Sequence, residues 1–507
     1  MRSLRIPAIA LAVASCTATA PPASRQGAPG VTSGGFELLV LSTTDVHGRI
    51  RAWDYYAGQP EAGRGLARAA TIVDSVRAAN AGRVVLVDAG DLLQGNPFAY
   101  VARKQFADST NPIVAAMNAM QYDAAAIGNH EYNYGVPYLE RAVRQARFPF
   151  LSANTFRPDG KHAFRPWTIV ERGGARIGIV GATTPGVMVW DAENVKGRID
   201  VRDIVPAVRN AVQEARAAGA DVIVVTMHSG LDGPASYDTV ATGLPSENVA
   251  ARVAREIPGI DLIVYGHSHR EQKDLHIGPT LLVQPKNWAT SVGVAHLQIV
   301  RAGSGWRVAS SRGETIQAAG YAEDKGVVDA SAAPHLATIA YANTVVGFTR
   351  VPWRGDSARL KDTPLIDFVL SVMRKAASAD LASTAAFSTD ASLDTGSITV
   401  AEMARLYPYD NTLRAIRING AQLRAYLEFS ARYYTGLSNG APVADPQVPG
   451  FNFDIVSGAD YTLDLTRPIG SRVTTLSVKG RPVAPSDSFT LALNNYCLLY
   501  TSPSPRD

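Results

Sequence analysis

Short apolar runs alternate with longer amphipathic stretches between Phe36 and about Ile299. Most of the apolar runs are bounded by Gly, Asp or Asn, a pattern typical of strands that are buried on both faces. The predicted strands are residues 38–41, 84–87, 124–127, 177–180, 222–226 and 262–265. Helical periodicity is found between them at 66–79, 112–120, 137–145, 205–217 and 246–255. The alternation of strand and helix predicts a layered α/β domain with a largely buried sheet.

The pattern becomes mixed after residue 300. Residues 301–344 contain Gly303-Ser304-Gly305 and an Ala-rich stretch at 330–342, and we expect a linker region with a connecting helix there. A second, smaller α/β domain is predicted at 345–496, with an amphipathic helix near 421–433. A chain of 507 residues is too long for one typical core, which also favours a division into domains at 36–300 and 345–496.

The N-terminus has the pattern of an export signal. Arg2 and Arg5 precede an apolar stretch at 6–14, which is too short to span a bilayer as a helix. The run that ends in Cys16 resembles a bacterial lipobox, in which this cysteine is lipidated; the alternative is a plain cleaved signal with a chance cysteine. The predicted segments are a signal peptide at 1–16 and a flexible tether at 17–35. We expect an exported protein, periplasmic or on the cell surface, that contacts a bacterial membrane through its lipid only.

The last residues do not fit the rest of the chain. Residues 497–507 look like a translated sequencing-library adapter, so we leave them out of the fold prediction. The sequence has two cysteines, Cys16 and Cys497, and no disulfide is therefore expected in the domains. The C-terminal domain is expected to be truncated at about residue 496.

Composition excludes several classes of protein. Hydrophobic residues make up 46% of the chain and charged residues 19%, which is ordinary for a globular protein and unlike a disordered or fibrous one. The net charge of +4 is small for this length and no long basic run is present. We therefore predict no nucleic-acid polymer as a partner, and no obligate protein partner, whereas a small anionic substrate is compatible with this charge.

Polar residues with metal-ligand chemistry follow the predicted strands where each strand ends. They are Asp45 and His47 after the first strand, Asp91 after the second, Asn129 and His130 after the third, His228 after the fifth, and His267 and His269 after the sixth. Loops at the carboxyl ends of strands in an open α/β sheet converge on one crevice. With His130 set aside, four imidazoles, two carboxylates and one amide suit borderline divalent metals. A two-metal site also needs a bridging carboxylate, which Asp91 is expected to provide.

These residues form the motifs Asp-x-His, Gly-Asp, Gly-Asn-His-Glu, His and Gly-His-x-His, in the order found in dinuclear metallophosphoesterases, and the chain resembles that family. The resemblance implies a four-layer sandwich and two divalent ions (Zn, Mn, Co or Fe). It implies that one ion is held by Asp45, His47, Asp91 and His269, and the other by Asp91, Asn129, His228 and His267. His130 matches the catalytic histidine that stabilises or protonates the departing oxygen. A single such histidine would be better explained as structural, but the ordered set would not.

Residues 345–496 resemble the C-terminal substrate-binding domain of the 5′-nucleotidase superfamily. The chain looks most similar to bacterial 2′,3′-cyclic-nucleotide 2′-phosphodiesterase/3′-nucleotidases. This likeness rests on residues 53–56, 129–135, 283–288, 409–413, 450–454 and 494–496. It implies that the rings of Tyr409 and Tyr496 clamp the nucleobase, at about 1–3 kcal/mol per stack and with little base selectivity. The alternative for both tyrosines is ordinary half-buried packing.

Two departures from the 5′-nucleotidase pattern favour the cyclic-phosphodiesterase branch. Asn133 stands where many 5′-nucleotidases have an Asp that orients the catalytic histidine, and Ala385-Ala386-Phe387 replaces their Gly-Gly-x-Arg segment. We therefore expect an enzyme that opens 2′,3′-cyclic nucleotides to 3′-nucleotides and then removes the 3′-phosphate, with Asn133 orienting His130. The alternatives are a 5′-nucleotidase or nucleotide-sugar hydrolase, and a surface nucleotide-binding lipoprotein that has lost catalysis.

Overall fold

The computed structural model describes residues 34–407 and 412–494. Strands β1 to β16 are Gly35–Thr43, Trp53–Asp54, Gln59–Pro60, Val84–Asp88, Ala124–Ala126, Phe150–Leu151, Thr155–Phe156, Trp167–Arg172, Ala175–Thr183, Asp200–Val201, Val222–His228, Leu262–Tyr265, Gln272–Ile277, Thr280–Gln284, Ser291–Ala302 and Gly305–Gln317. Helices α1 to α10 are Leu66–Ala79, Pro97–Gln105, Pro112–Met120, Val136–Gln145, Val187–Trp190, Ala192–Val195, Ile204–Ala217, Thr239–Thr242, Ala250–Glu256 and Lys325–Ala342.

Two six-stranded sheets form the centre of the N-terminal domain. Their strand orders are β16-β15-β1-β4-β5-β6 and β13-β14-β12-β11-β9-β8, and most of the central strands run parallel. Val40 and Val85 of the first sheet pack in one buried cluster with Ile179 and Val224 of the second. Helices α1 and α3 cover the outer face of the first sheet, and α7 and α9 cover that of the second. The expected four-layer α/β sandwich is therefore confirmed.

The first strand shows why this layering follows from the sequence. Successive side chains of a strand point to opposite faces of the sheet. Leu38 and Val40 of β1 accordingly lie between the sheets, whereas Leu39 and Leu41 pack under the helices of the outer layer. A strand buried on both faces needs a continuous apolar run rather than an alternating one, which is the pattern seen here.

Polar caps fix the starts of two outer helices. The side chain of Asn111 accepts a hydrogen bond of 2.9 Å from the amide of Ile113, and Pro112 occupies the first position of α3. Asp203 caps α7 in the same way, with a bond of 3.0 Å from the amide of Val205. Such caps satisfy amides that have no partner within the helix.

Residues 301–344 differ from the predicted linker. They form strand β16, which pairs antiparallel with β15 along its length, and helix α10, which packs against α2 and α3. Gly303, at φ 60°, lies in the hairpin turn between the two strands. The Gly-Ser-Gly segment that suggested flexibility is thus a tight turn, because glycine adopts positive φ without strain. The segment belongs to the N-terminal domain.

The C-terminal domain is built around a four-stranded sheet. Strands β17 to β29 are Val345–Thr349, Trp353–Arg354, Leu381–Ala385, Ser392–Leu393, Gly396–Thr399, Leu413–Asn419, Tyr434–Ser438, Ala441–Ala444, Asp454–Ser457, Asp460–Leu463, Val473–Val478, Arg481–Pro482 and Ser488–Asn494. Helices α11 to α13 are Pro364–Ala376, Val400–Leu406 and Gly420–Ala431, and a 3₁₀ turn spans Gly450–Asn452. The sheet order is β22-β29-β19-β25.

The two long helices of this domain cover opposite faces of that sheet. Leu381 of β19 packs with Leu423 of α13, whereas its neighbour Ala382 packs with Leu370 of α11. An ion pair of 2.6 Å between Arg414 and Glu193 joins the domain to the N-terminal domain.

Several sequence predictions fall outside the described residues. They concern the signal, Cys16 and most of the tether at 1–33, the two predicted base-clamping residues Tyr409 and Tyr496, and the tail at 497–507. Among the residues that the structure does describe, no helix combines the length and the apolar character needed to cross a membrane.

Candidate metal centre and active site

The loops that follow β1, β4, β5, β11 and β12 converge at one edge of the two sheets and carry all seven predicted metal ligands. Five of the seven have a left-handed backbone, with φ of 50° at Asp45, 49° at His47, 64° at Asp91, 72° at His267 and 54° at His269. This conformation costs a non-glycine residue on the order of 1 kcal/mol. The surrounding fold therefore holds the ligand loops in conformations that the isolated chain would avoid.

One group of potential ligands consists of Asp45, His47 and His269, whose donor atoms all lie within 4.8 Å of one another. The Nε2 atoms of His47 and His269 are 3.0 Å apart, and Nε2 of His269 is 3.4 Å from Oδ1 of Asp45. Oδ2 of Asp91 lies 3.7 Å from Nε2 of His47. The four residues predicted to hold one ion are thus brought together.

A second group consists of Asp91, His228 and His267, again with donor atoms within 4.8 Å. Nε2 of His228 lies 3.0 Å from Oδ2 of Asp91, so the same carboxylate oxygen faces both groups. The buried Oδ1 of Asn129 has no hydrogen-bond partner in the described structure. An acceptor left unpaired at a buried site costs about 1–3 kcal/mol, and a bound cation would satisfy it.

Hydrogen bonds on the far side of two histidines show that these residues fit divalent ions. Nδ1 of His47 donates to the carbonyl of Gln94 at 2.9 Å, and Nδ1 of His228 donates to the carbonyl of Ala89 at 2.8 Å. In the neutral imidazole, each Nε2 therefore presents a lone pair towards the cluster. A lone pair that faces a carboxylate oxygen at 3.0 Å requires a proton or a cation between the two atoms, and divalent metals bind imidazole nitrogens in this tautomer.

The charges of the cluster also favour cations. Burial opposes ionisation of Asp91, but the positive charge of His228 outweighs it and holds the pKa of Asp91 well below its usual range. Burial likewise opposes the charge of His228, yet Asp91 raises its pKa to about 10, so a proton takes the place of a metal ion between them. Burial and the charge of His130 lower the pKa of His47 to about 3, which keeps that ring neutral and able to bind a metal.

His130 lies beside both groups and makes its own set of contacts. Its backbone amide donates to Oδ1 of Asp91 at 2.8 Å, and its Nε2 is 3.9 Å from Oδ2 of the same residue. Its Nδ1 lies 2.6 Å from Oδ1 of Asn133 and 2.6 Å from Oε1 of Gln94. The predicted pair of His130 and Asn133 is therefore in contact, and Nε2 of His130 is left to face the cluster.

Glu131 supports the ligand loops and was not singled out from the sequence, although it lies in the Gly-Asn-His-Glu motif. Its fully buried carboxylate accepts hydrogen bonds of 2.5–3.0 Å from four backbone amides, those of Asp91, Leu92, Leu93 and Gly128. One side chain thereby ties the loop after β4 to the loop after β5. The relative positions of Asp91 and Asn129 depend on it.

Three further residues near the site were missed by sequence reasoning. Gln94 contacts two histidines, Glu247 Oε2 lies 3.3 Å from Nε2 of His267, and Asp191 accepts a hydrogen bond of 2.9 Å from Asn133. Only Asp191 had a usable signal, because it lies in the loop after β9, the fourth predicted strand, and that loop leaves the same edge of the sheet. Gln94 and Glu247 are brought in by tertiary packing alone.

Two glycines permit the close approach of the ligand loops. A Cβ on Gly128 would lie 2.2 Å from Oδ1 of Asp91, and a Cβ on Gly266 would lie 2.0 Å from Oγ1 of Thr44 and 2.8 Å from Oδ2 of Asp45. Neither contact is sterically possible, so a side chain at either position would displace a ligand carboxylate or its support.

A sandwich of two sheets with paired Asp/His groups at the carboxyl ends of their strands defines the class of metal-dependent phosphoesterases. Comparison with known proteins agrees, because residues 38–271 match the calcineurin-like phosphoesterase family and residues 345–500 match the 5′-nucleotidase C-terminal domain. The chain belongs to the calcineurin-like phosphoesterases that carry a 5′-nucleotidase C-terminal domain.

Individual relatives cover most of the chain. A Haemophilus influenzae protein named 2′,3′-cyclic-nucleotide 2′-phosphodiesterase/3′-nucleotidase is 31% identical over 91% of this chain and 80% of its own length. The Bacillus subtilis trifunctional nucleotide phosphoesterase YfkN is 30% identical over 90% of this chain, which spans 35% of the length of that relative. The crystal structure of a putative 5′-nucleotidase from Staphylococcus aureus superposes with a TM-score of 0.76 at 25% identity, over 92% of this chain and 91% of the other.

Proposed function

We propose that this enzyme opens 2′,3′-cyclic nucleotides to 3′-nucleotides and then removes the 3′-phosphate. The observation that carries the proposal is the position of Asp91, one oxygen of which faces two separate groups of imidazole and carboxylate ligands. The names and the coverage of the Haemophilus and Bacillus relatives support the nucleotide substrate.

The residues present fit two divalent ions that share Asp91. Asp45, His47 and His269 would complete one site, and Asn129, His228 and His267 the other. When bound, such ions supply positive charge against the phosphoryl oxygens and lower the pKa of a water molecule. We propose Zn, Mn, Co or Fe, because mixed nitrogen and oxygen ligands suit these metals. The metal content of the purified protein, measured by plasma mass spectrometry, tests this choice.

His130 is positioned to act on the leaving oxygen of the ester. Its Nδ1 is engaged by two amide oxygens, so its Nε2 is the nitrogen that can carry a proton towards the substrate. Amide oxygens at 2.6 Å stabilise an N–H at Nδ1, which is the tautomer required. Protonation of the departing oxygen by such a group typically contributes about 10²–10⁴-fold to the rate.

A comparison of four substrates tests the specificity. Initial rates on 2′,3′-cyclic AMP, 3′-AMP, 5′-AMP and UDP-glucose should be highest for the first two. Preference for 5′-AMP or UDP-glucose would instead establish the 5′-nucleotidase alternative, for which the superposition on the Staphylococcus protein speaks. Binding of nucleotides without turnover of any of the four, in the presence of added Mn or Zn, would establish a non-catalytic binding protein.

We further propose that Tyr409 and Tyr496 clamp the nucleobase between their rings. The support is the likeness of residues 345–500 to the C-terminal domain of 5′-nucleotidases. Replacing either tyrosine by Leu should raise the KM for cyclic AMP about 5–100-fold, the loss of one stack, while turnover of bis(4-nitrophenyl) phosphate, which has no base, stays unchanged. Equal effects on both substrates would contradict a base clamp.

We propose that the protein is exported and held to a bacterial membrane by a lipid on Cys16. The support is the basic and apolar pattern of the first sixteen residues. A Cys16→Ser protein expressed in a bacterial host should leave the membrane fraction and lose incorporation of labelled palmitate. Membrane association that survives this substitution would refute the lipid anchor.

A further inference from the structure

Asn133 joins the catalytic-site histidine to a buried carboxylate. Its Oδ1 lies 2.6 Å from Nδ1 of His130, and its Nδ2 donates to Oδ1 of Asp191 at 2.9 Å. Asp191 is 5% exposed and lies between α5 and α6, 58 residues further along the chain. The three side chains therefore form a hydrogen-bonded series that leads away from the metal-ligand groups.

The direction of these hydrogen bonds is set at the Asp191 end. An amide side chain has an accepting oxygen at one end and a donating nitrogen at the other, and it can rotate to exchange them. Oδ1 of Asp191 also receives a hydrogen bond of 3.1 Å from Nδ2 of Asn194, so this oxygen acts as an acceptor. Asn133 must then turn its nitrogen towards Asp191 and its oxygen towards His130.

We propose that Asp191 is a positioning residue that fixes the proton on Nδ1 of His130 by holding Asn133 in one orientation. This inference rests on the proposed function, in which His130 acts on the leaving oxygen. If Asn133 were to rotate, its amide nitrogen would face Nδ1, which would have to give up its proton and accept. The proton of a neutral ring would then move to Nε2, and the form that carries protons on both nitrogens would be disfavoured.

Other contacts keep the loop of Asp191 in place. The neighbouring ring of Trp190 stacks on the imidazole of His267, with 5.5 Å between centroids and 28° between planes. Nδ2 of Asn194 also lies within 3.1 Å of the carbonyl of Asn133. One short segment of chain thus contacts a predicted metal ligand and the support of His130 together, so the position of Asp191 is set by packing that does not depend on Asn133.

The consequence is selective for the leaving group. A nucleoside oxygen leaves slowly unless it is protonated, whereas 4-nitrophenolate leaves without a proton. Loss of Asp191 should therefore slow cleavage of 2′,3′-cyclic AMP and spare cleavage of bis(4-nitrophenyl) phosphate. Gln94 remains as a second acceptor at Nδ1 of His130, so we expect a partial loss.

The test compares kcat on these two diesters for Asp191→Ala, Asp191→Asn and the double variant Asn133→Asp/Asp191→Ala. We expect Asp191→Ala to lose about 10-fold on cyclic AMP and less than about 2-fold on the nitrophenyl ester. Asp191→Asn should lose little, because its amide oxygen can still accept from both asparagines. The double variant should recover activity on cyclic AMP, because a carboxylate at position 133 accepts with either oxygen.

Controls separate this proposal from the proposed function and from a folding defect. Asp200→Ala removes an exposed carboxylate nearby and should change neither rate. Metal content and the melting temperature are measured for every variant. Equal losses on both esters, or no recovery in the double variant, would overturn the role of Asp191. A wild-type protein that cleaves neither ester with added metal would refute the proposed function instead.

Discussion

Nε2 of His47 and Nε2 of His269 face each other at 3.0 Å, although 222 residues separate them in the chain. Nδ1 of His47 already donates to the carbonyl of Gln94, so the Nε2 of His47 can only accept while the ring is neutral. Burial lowers the pKa of His47 to about 3 and keeps it neutral over the physiological range. Two such nitrogens so close together are best stabilised by a shared cation, and the first two predictions test this.

Removal of metal should abolish activity and lower thermal stability. A ligand present at about 100 times its dissociation constant stabilises the folded state by about 2.7 kcal/mol, which corresponds to roughly 5–10 °C for a domain of this size. Dialysis against EDTA, followed by differential scanning calorimetry and a rate assay, measures both effects. Added Mn or Zn should restore them. Full activity of a protein shown to be metal-free would exclude the proposed mechanism.

Replacing Asp91 by Asn should reduce kcat/KM by at least about 100-fold and release bound metal. The substitution keeps the shape of the side chain but removes the charge that faces both ligand groups, and loss of even outer contacts at metal sites typically costs about 10–100-fold. Rates and metal content are compared with those of Asp274→Asn, which neutralises a half-exposed carboxylate in β13. An Asp91→Asn protein with normal metal content would contradict the bridging role.

Replacing Glu131 by Ala should destabilise the N-terminal domain by about 3–5 kcal/mol. Four backbone amides that now donate to this buried carboxylate would be left without an acceptor. Urea unfolding, followed by circular dichroism, measures the change. Glu131→Gln keeps one accepting oxygen and should give an intermediate loss. Equal stability of the Ala variant and the wild type would show that these amides find other partners.

The bidentate pair of Glu323 with Arg51 should make stability depend on pH. Nε and Nη2 of Arg51 donate to the two carboxylate oxygens at 2.9 and 3.2 Å, and the amide of Ala52 donates at 2.8 Å. Burial raises the pKa of Glu323, but these donors outweigh it, and the pKa is lowered from 4.5. A depressed pKa contributes stability that is present above the unfolded value and is lost as pH falls through the folded value.

The free energy of unfolding of Glu323→Gln should therefore be about 1–2 kcal/mol below that of the wild type at pH 7. The difference should shrink as pH falls below about 4.5 and should not depend on pH above about 6. Urea titrations at four pH values measure it, with Glu314→Gln as a half-exposed control on β16. A difference that grows towards low pH would mean that folding raises the pKa of Glu323 instead of lowering it.

The ligand loops could be predicted from sequence because each follows a continuous apolar strand. Strand ends are visible in the pattern, and parallel strands place their carboxyl ends at one edge, so Asp91 and His228 could be expected to meet. The linker prediction for 301–344 was wrong for a physical reason. A Gly-Ser-Gly segment fits a flexible connection and a hairpin turn equally well, and only the pairing of β15 with β16 distinguishes them.

The supporting residues could not be predicted in the same way. Gln94 and Glu247 reach the site from loops without a chemical motif, and their contacts depend on how the two sheets face each other. Asp191 follows the one parallel strand for which no ligand was assigned. Applying the strand-end rule to that loop as well would have indicated it.

The left-handed backbone of Asp45, His47, Asp91, His267 and His269 has a consequence for attempts to engineer this protein. Glycine adopts that conformation freely, so a laboratory selection that rewards heat resistance alone should enrich glycine at these five positions. The surviving clones would be hardier and inert. Any programme that improves durability must therefore screen turnover in every round.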